Sequence, residues 1–257
     1  MNTRMNKNEK TVFLEADWPA AKNIHAFSTT RYNQQTEDKH SSAYDSFNLA
    51  LHVEDDPQSV QSNRQFLKDQ LVLPDDPLWL EQIHGKSVVN AAETTASVPQ
   101  ADASYSLQAG KVCVVMTADC LPVLICNRRG DRVAAAHAGW RGLAAGVIES
   151  AIAGLNESPE ELLVWLGPAI GPQAFEVGEE VRDVFIADMP LTANAFKQNR
   201  AGHYLADMYQ LARLRLQKIG IDKVYGGEYC TYSDADHFYS FRRDGKTGRQ
   251  ASLIWFD

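Results

Sequence analysis

The sequence predicts one domain of mixed helices and strands, α+β or mixed α/β, over residues 11–257. Three observations predict it. A chain of 257 residues is long enough to bury a sizeable core. Segments with strand character and segments with helical periodicity follow one another without the strict alternation of a doubly wound parallel sheet. No fixed-period repeat and no low-complexity linker divides the chain.

The elements can be taken in order. Residues 1–10 are polar and are expected to form a disordered tail. TVFLE and NIHAFSTT are short strands. Residues 32–46 are polar and aperiodic, so they form a long loop. A helix follows: Asp55 or Asp56 caps it, Pro57 suits its first turn, and Val60, Leu67 and Leu71 lie near one face. LWLEQIHGKSVVNA suggests two strands broken at His84-Gly85, and ADASYS another. KVCVVMTADCLPVLICN is β-branched and apolar but interrupted at Ala118-Asp119-Cys120, which gives two buried strands with a break between them. Pro122 supports the break, because proline cannot donate within a central ladder. DRVAAAHAGWRG is a strand entering a turn. The stretch RGLAAGVIESAIAGL carries apolar residues at 143, 147, 148, 151, 152 and 155, the stripe of one helix. ELLVWLGP is a strand and VGEEVRDVFIADM a short helix. YLADMYQLARLRLQKIG is a helix stopped by Gly220. KVYGGEYC and HFYSFRRDGKTGRQASLIWF supply the last strands, with GKTG as a turn.

Composition narrows the function. A net charge of −8 disfavours a nucleic-acid partner. No window approaches the roughly 18 apolar residues of a membrane helix, and no signal-peptide pattern opens the chain; a cytoplasmic protein without a membrane partner is expected. The four cysteines, Cys113, Cys120, Cys126 and Cys230, are too sparse for a disulfide scaffold and read as reduced thiols.

His84, Cys120 and His137 each sit at the end of an expected strand beside a turn. Such side chains can converge at the rim of a sheet. Two imidazoles and a thiolate suit zinc with one coordination place left for water. The gaps of 36 and 17 residues form no metal motif, and each residue taken alone also fits an ordinary core or surface position. Cys120 with His137 also permits a metal-free nucleophile; Asp119, its neighbour along a strand, would face the other way. HAGWRG places backbone N–H groups at a helix start, an anion site, with Arg141 in the first turn. Arg242, Arg243 and Arg249 fall on an expected hairpin, and Arg31 follows a strand. These guanidiniums suit phosphate or carboxylate but equally a solvated edge. Trp140, Tyr239 and Phe241 can stack on a flat ring or fill the core.

Together the motifs AFSTTR, SFNLALHVEDDP, EQIHGKSV, ADASYS, TADCLPVLIC, AAAHAGWRGLAAGVIE, LGPAIGPQAFEVGEEV and FYSFRRDGKTGRQASLI resemble the bacterial YfiH family, also called the laccase-domain or multicopper polyphenol oxidoreductase family. They run in order from about residue 24 to 254. The resemblance implies one α+β domain whose two mixed sheets lie between flanking helices in α/β/β/α layers, similar to a bacterial toxin domain with a Cys–His hydrolase site. It implies one zinc, with copper as an alternative, on His84, Cys120 and His137, which are also the catalytic residues. Arg31, Asn48, Arg141 and Arg242 are implied as substrate-binding. The implied activity is purine nucleoside phosphorolysis, on adenosine, inosine, guanosine and methylthioadenosine, together with adenosine deamination. The partners are then a nucleoside and phosphate, on a monomer or weak homo-oligomer. A deaminase also needs a carboxylate proton shuttle, for which Asp119, Asp102 and Glu81 are candidates. Other implied readings are a hydrolase editing peptidoglycan precursors and a copper-dependent polyphenol oxidase. A laccase needs several coppers and about ten histidines, whereas this chain has seven. The sequence departs from the family at Arg31-Tyr32-Asn33-Gln34-Gln35, where relatives carry a Gly-Gly turn.

Overall fold

The computed structural model describes residues 11–33, 42–93 and 97–257. The expected N-terminal tail, Gln34-Gln35 and most of the 32–46 loop lie outside these residues. In chain order the elements are β1 (Phe13–Glu15), β2 (Ile24–Thr29), α1 (Pro57–Gln70), β3 (Val88–Asn90), β4 (Ala103–Ser106), β5 (Cys113–Thr117), β6 (Leu121–Asn127), β7 (Val133–Ala138), α2 (Trp140–Ala145) and α3 (Val147–Leu155). Then come β8 (Leu162–Leu166), β9 (Glu176–Gly178), α4 (Glu179–Asp188), β10 (Phe196–Arg200), β11 (His203–Ala206), α5 (Met208–Lys218), β12 (Val224–Gly226), α6 (Phe241–Asp244) and β13 (Gln250–Phe256).

Two main sheets result. One has the order β1-β2-β13-β5 and is antiparallel throughout. The other, β12-β8-β6-β7-β4-β3, is mixed, with parallel pairs at its two edges. Their inner faces pack together through Cys113, Val115 and Ile254 from the first and Leu124, Val133, Ala135 and Trp165 from the second. Leu67 of α1 covers the far face of the first sheet with Val114, Met116 and Leu253. On the far face of the second sheet, Ile148 and Ala151 of α3 and Leu211 and Leu216 of α5 close the largest core. The expected α/β/β/α layering is therefore present.

Local chemistry explains most elements. Asp56 caps α1 by accepting from the Ser59 amide, with Pro57 at the first position. β5 and β6 are buried at every position, and the chain changes sheet between them at Asp119, whose φ is +87°. The thiols of Cys113 and Cys126 are both pushed up to about 12 by burial, and all four cysteines are free.

Several expectations are corrected. Pro122 lies inside β6, opposite His137; the break falls just before it. The Pro122 carbonyl bonds to Gly167 at the end of β8, where the ladder stops, so its missing N–H interrupts nothing further along. The stripe over 143–155 is two helices, not one, because Gly146 adopts φ +93° between them. The helix expected from Tyr204 begins at Met208, where the Asp207 side chain accepts from the Gln210 amide; Tyr204 and Leu205 belong to β11. The region of Arg242 and Arg243 is the single turn α6, capped by Ser240, rather than a hairpin. Leu78 and Glu81 make only isolated bridges, so one strand is lost before His84. A third sheet, β10-β11-β9, was not expected. No helix among the described residues is long and apolar enough to cross a membrane.

Candidate metal centre

His84, Cys120 and His137 converge. One ligand atom from each lies within 4.8 Å of the others, and this is the one His/Cys/carboxylate cluster of three or more among the described residues. The two imidazoles meet edge to face, with ring centroids 4.8 Å apart. Three separate pieces of backbone deliver these side chains. His137 is the next-to-last residue of β7 and is buried. Cys120 immediately precedes β6 and is half-buried. His84 lies in the turn before β3, exposed, with φ +58°.

A left-handed histidine is unfavourable unless its surroundings enforce it. Asp102 does so here. Its buried carboxylate accepts from the amides of Ile83 (3.3 Å), His84 (2.9 Å) and Gly85 (2.6 Å). It also lies 2.8 Å from Nδ1 of His137. One carboxylate thus fixes the His84 turn and the His137 ring, and it leaves Nε2 of His137 to face the cluster. A carboxylate behind a histidine is the usual support of a metal ligand. Burial alone would raise the pKa of Asp102. The bonds from His137, Gly85 and His84 outweigh burial and hold it below the ordinary carboxylate value.

Glycines let the backbone close in. A Cβ on Gly139 would stand 3.0 Å from Cδ2 of His84 and 3.1 Å from Sγ of Cys120. A Cβ on Gly142 would stand 2.7 Å from the Gly85 carbonyl. The HAGWRG glycines therefore serve close approach to the cluster. A helix does begin there as expected, α2 at Trp140, with no side chain capping its first amides.

Electrostatics favour a charged pair. Burial opposes ionisation of Cys120, but the His137 charge and hydrogen bonds with His137 and His84 prevail and bring the thiol down to about 6. Burial would lower His137, yet Cys120 and Asp102 raise it to about 9. A thiolate and two imidazoles, one held by a carboxylate, fit a resident divalent metal such as zinc.

The other candidates separate. Asp119 accepts from Thr231 Oγ1 and from the Arg242 amide, both at 2.6 Å, so it braces the C-terminal loops and does not orient His137. Glu81 bonds with Gln100. Arg31 is buried and donates to the carbonyls of Asp45 and Ala235, with its guanidinium 5.0 Å from the Tyr239 ring centroid. Asn48, fully buried, bonds to Ala50, Asp55 and Arg249. The Asn48 amide is thus engaged within the chain, and Arg31 engages Nε and Nη1 there. Arg141 is exposed and stacks on Trp140 at 4.5 Å, and Arg242, also exposed, donates to the Glu176 carbonyl. Tyr239 is core; Phe241 is 59% exposed. A polar cavity of about 680 Å³, lined by Tyr44, Asp45, Asp55, Ser59 and Asn63 among others, contains none of the cluster residues. Sequence reading missed Asp102 as the organising group: its bonds reach 17 to 35 residues away, and nothing local signals them.

The sequence profile of a family described as multi-copper polyphenol oxidoreductase laccase matches residues 25–257. The chain belongs to that family. A family so described suggests metal binding, and His84, Cys120 and His137 are where such a metal fits. Among family relatives, a protein of Escherichia coli named purine nucleoside phosphorylase YfiH is 51% identical over 238 residues, covering 93% of this chain and 96% of that one. A Pseudomonas aeruginosa protein also named a purine nucleoside phosphorylase is 50% identical over 244 residues, covering 95% and 98%. Of solved structures, a Neisseria meningitidis protein aligns with a TM-score of 0.91 at 50% identity, covering 96% of this chain and all of that one. YlmD from Geobacillus stearothermophilus aligns with a TM-score of 0.87 at 28% identity, covering 96% and 97%.

Proposed function

We propose that the chain is a zinc-dependent purine nucleoside phosphorylase acting at His84, Cys120 and His137. The observation that carries the reading is the convergence of these three donors on one another, with the His84 turn and the His137 ring fixed by the Asp102 carboxylate, in a family whose relatives bear that name. In phosphorolysis a phosphate oxygen bonds to C1′ of the ribose. The C1′–N9 bond breaks, its electron pair leaves with the purine, and the purine takes up a proton. Base and ribose 1-phosphate result. Zinc bound here would supply a Lewis acid and a water of lowered pKa. Asp102 holds the tautomer of His137 and the turn of His84. Exposed Ile83 and Phe241 offer apolar surface of the kind a purine stacks on. Arg141 and Arg242 are proposed to contact substrate at the rim.

Adenosine deamination is the weaker part of the proposal. It asks for a carboxylate free to shuttle protons, yet Asp102 is saturated with donors, Asp119 is turned away and Glu81 pairs with Gln100. Copper can occupy the same donors, but one three-ligand cluster among the described residues is too few for a multicopper oxidase. One observation favours a second reading. Cys120, His137 and Asp102 are aligned as nucleophile, base and orienting acid, which suits a metal-free hydrolase, with peptidoglycan precursors as substrates.

Incubating the protein with inosine or adenosine, with and without phosphate, tests the proposal. Base and ribose 1-phosphate formed only with phosphate are expected. No turnover by zinc-loaded protein, with hydrolysis by metal-free protein, would transfer the assignment to the cysteine hydrolase.

A further inference from the structure

The three ligands form a triangle, and each of its sides needs something to fix it. The Asp102 carboxylate fixes His84 against His137. The ladder between β6 and β7 fixes Cys120 against His137, because Leu121 pairs with Ala138 and Pro122 with His137 directly after Cys120. The third side, from His84 to Cys120, has no strand pairing across it. Between Glu81 and Ser87 no backbone group bonds to another backbone group among the described residues. Asp102 by itself ties the His84 turn only to the sheet that holds β4.

Gln82 closes the third side. Its Nε2 donates to the Met116 carbonyl and its Oε1 accepts from the Met116 amide, both at 2.8 Å. Met116 belongs to β5, the terminal strand of the other sheet, so this edge has no strand neighbour. The chain leading to Gln82 follows that edge. Leu78 makes a parallel bridge to Cys113, and its amide donates to the Val112 carbonyl at 3.0 Å. The Gln82 carboxamide then bonds Met116 as the next strand residue would. Gln82 stands two residues before His84, and Met116 four before Cys120. A two-point bond fixes direction as well as distance, where a single bond would leave a hinge. The His84 turn is thereby held to both sheets, by Asp102 on one side and by Gln82 on the other.

We propose that Gln82 is a positioning residue of the metal centre: its paired bond to Met116 sets His84 at the distance from Cys120 that one metal ion needs. This role rests on reading His84, Cys120 and His137 as metal ligands. A ligand set with one loosened member binds metal more weakly although every donor atom remains.

The test compares Gln82→Ala and Gln82→Leu with the parent full-length protein. Zinc affinity is read by competition with a chromogenic chelator, and ligand geometry by the visible spectrum of the cobalt-loaded forms. Gln82 is half-buried, so water can reach both Met116 groups in the alanine variant, which is expected to fold. Both variants should bind zinc roughly 10–100-fold more weakly, and their cobalt d–d and thiolate charge-transfer bands should shift. Tyr239→Phe is the control for stability alone: its melting temperature should fall while zinc affinity and cobalt bands stay those of the parent. A purely structural Gln82 would give the same pattern as that control. Parent-like zinc affinity and cobalt bands in folded Gln82 variants overturn the proposal. If the variants weaken zinc binding while the zinc-loaded parent phosphorolyses nothing, the positioning role stands and the phosphorylase reading falls. A parent protein that binds neither zinc nor cobalt overturns the metal centre and the role of Gln82 together.

Discussion

Two groups of buried polar side chains lie in this fold, and they end differently. Around Tyr239 the groups close on one another. The Tyr239 hydroxyl accepts from the Phe47 amide and donates to the Tyr44 carbonyl, Arg31 donates from Nε and Nη1 to backbone carbonyls, and Asn48 bonds neighbouring backbone and the Asp55 carboxylate. Around Asp102 the bonds run outward. Asp102 fixes His84 and His137, and these with Cys120 bring ligand atoms together, with no further His, Cys or carboxylate among the described residues joining them. A satisfied buried network stabilises and specifies a fold; one that ends in convergent donor atoms is built for a ligand. Residue type does not separate the two groups, since each contains groups that sequence reading assigned to a site.

The contrast can be broken experimentally, from the largest effect down. Cys120→Ser removes the soft ligand, and turnover should fall at least about a thousandfold, with zinc well below one per chain by atomic absorption. Wild-type stoichiometry in that variant would remove Cys120 from the metal site. Asp102→Asn keeps the shape but loses the charge that orients His137. Zinc affinity is expected to drop by roughly 10–100-fold, read by competition with a chromogenic chelator. In metal-free protein, alkylation of Cys120 should follow the thiolate. A depressed thiol is ionised above its folded-state value and regains its proton as pH falls through about 6. At pH 7 its thiolate fraction is roughly a hundredfold that of a thiol at the unperturbed value of 9.0. A labelling midpoint near 9 would remove the thiolate–imidazolium pair. Tyr239→Phe belongs to the other group. It strands the buried Phe47 amide, so stability should fall by about 1–3 kcal/mol, a melting shift of several degrees, with zinc content unchanged.

How far the sequence reached differs between these regions for physical reasons. The three ligands were visible as polar interruptions at strand ends beside turns, with a glycine next to His84 and one near His137, and with Asp119 and Pro122 around Cys120. The cap of α1 was visible because Asp56 and Pro57 are local signals, and the stripe of α3 because its face is entirely buried. Gly146 hid a helix break, since the apolar stripe continues in register across it. Strand β10 (FKQNR) is polar and largely exposed, so no alternation marked it. Asp207 offered a cap that competes with the apolar run preceding it. The role of Asp102 depends on chain segments that meet only in the folded protein; Asp102 and His137 are 35 residues apart.

The central claim is that metal on His84, Cys120 and His137 drives phosphorolysis. The most direct measurement strips the protein with a chelator, restores zinc in steps, and follows inosine phosphorolysis and bound zinc in the same samples. Activity that is absent after stripping and rises linearly to a plateau at one zinc per chain is the predicted result. Full activity in protein shown to be metal-free would contradict it.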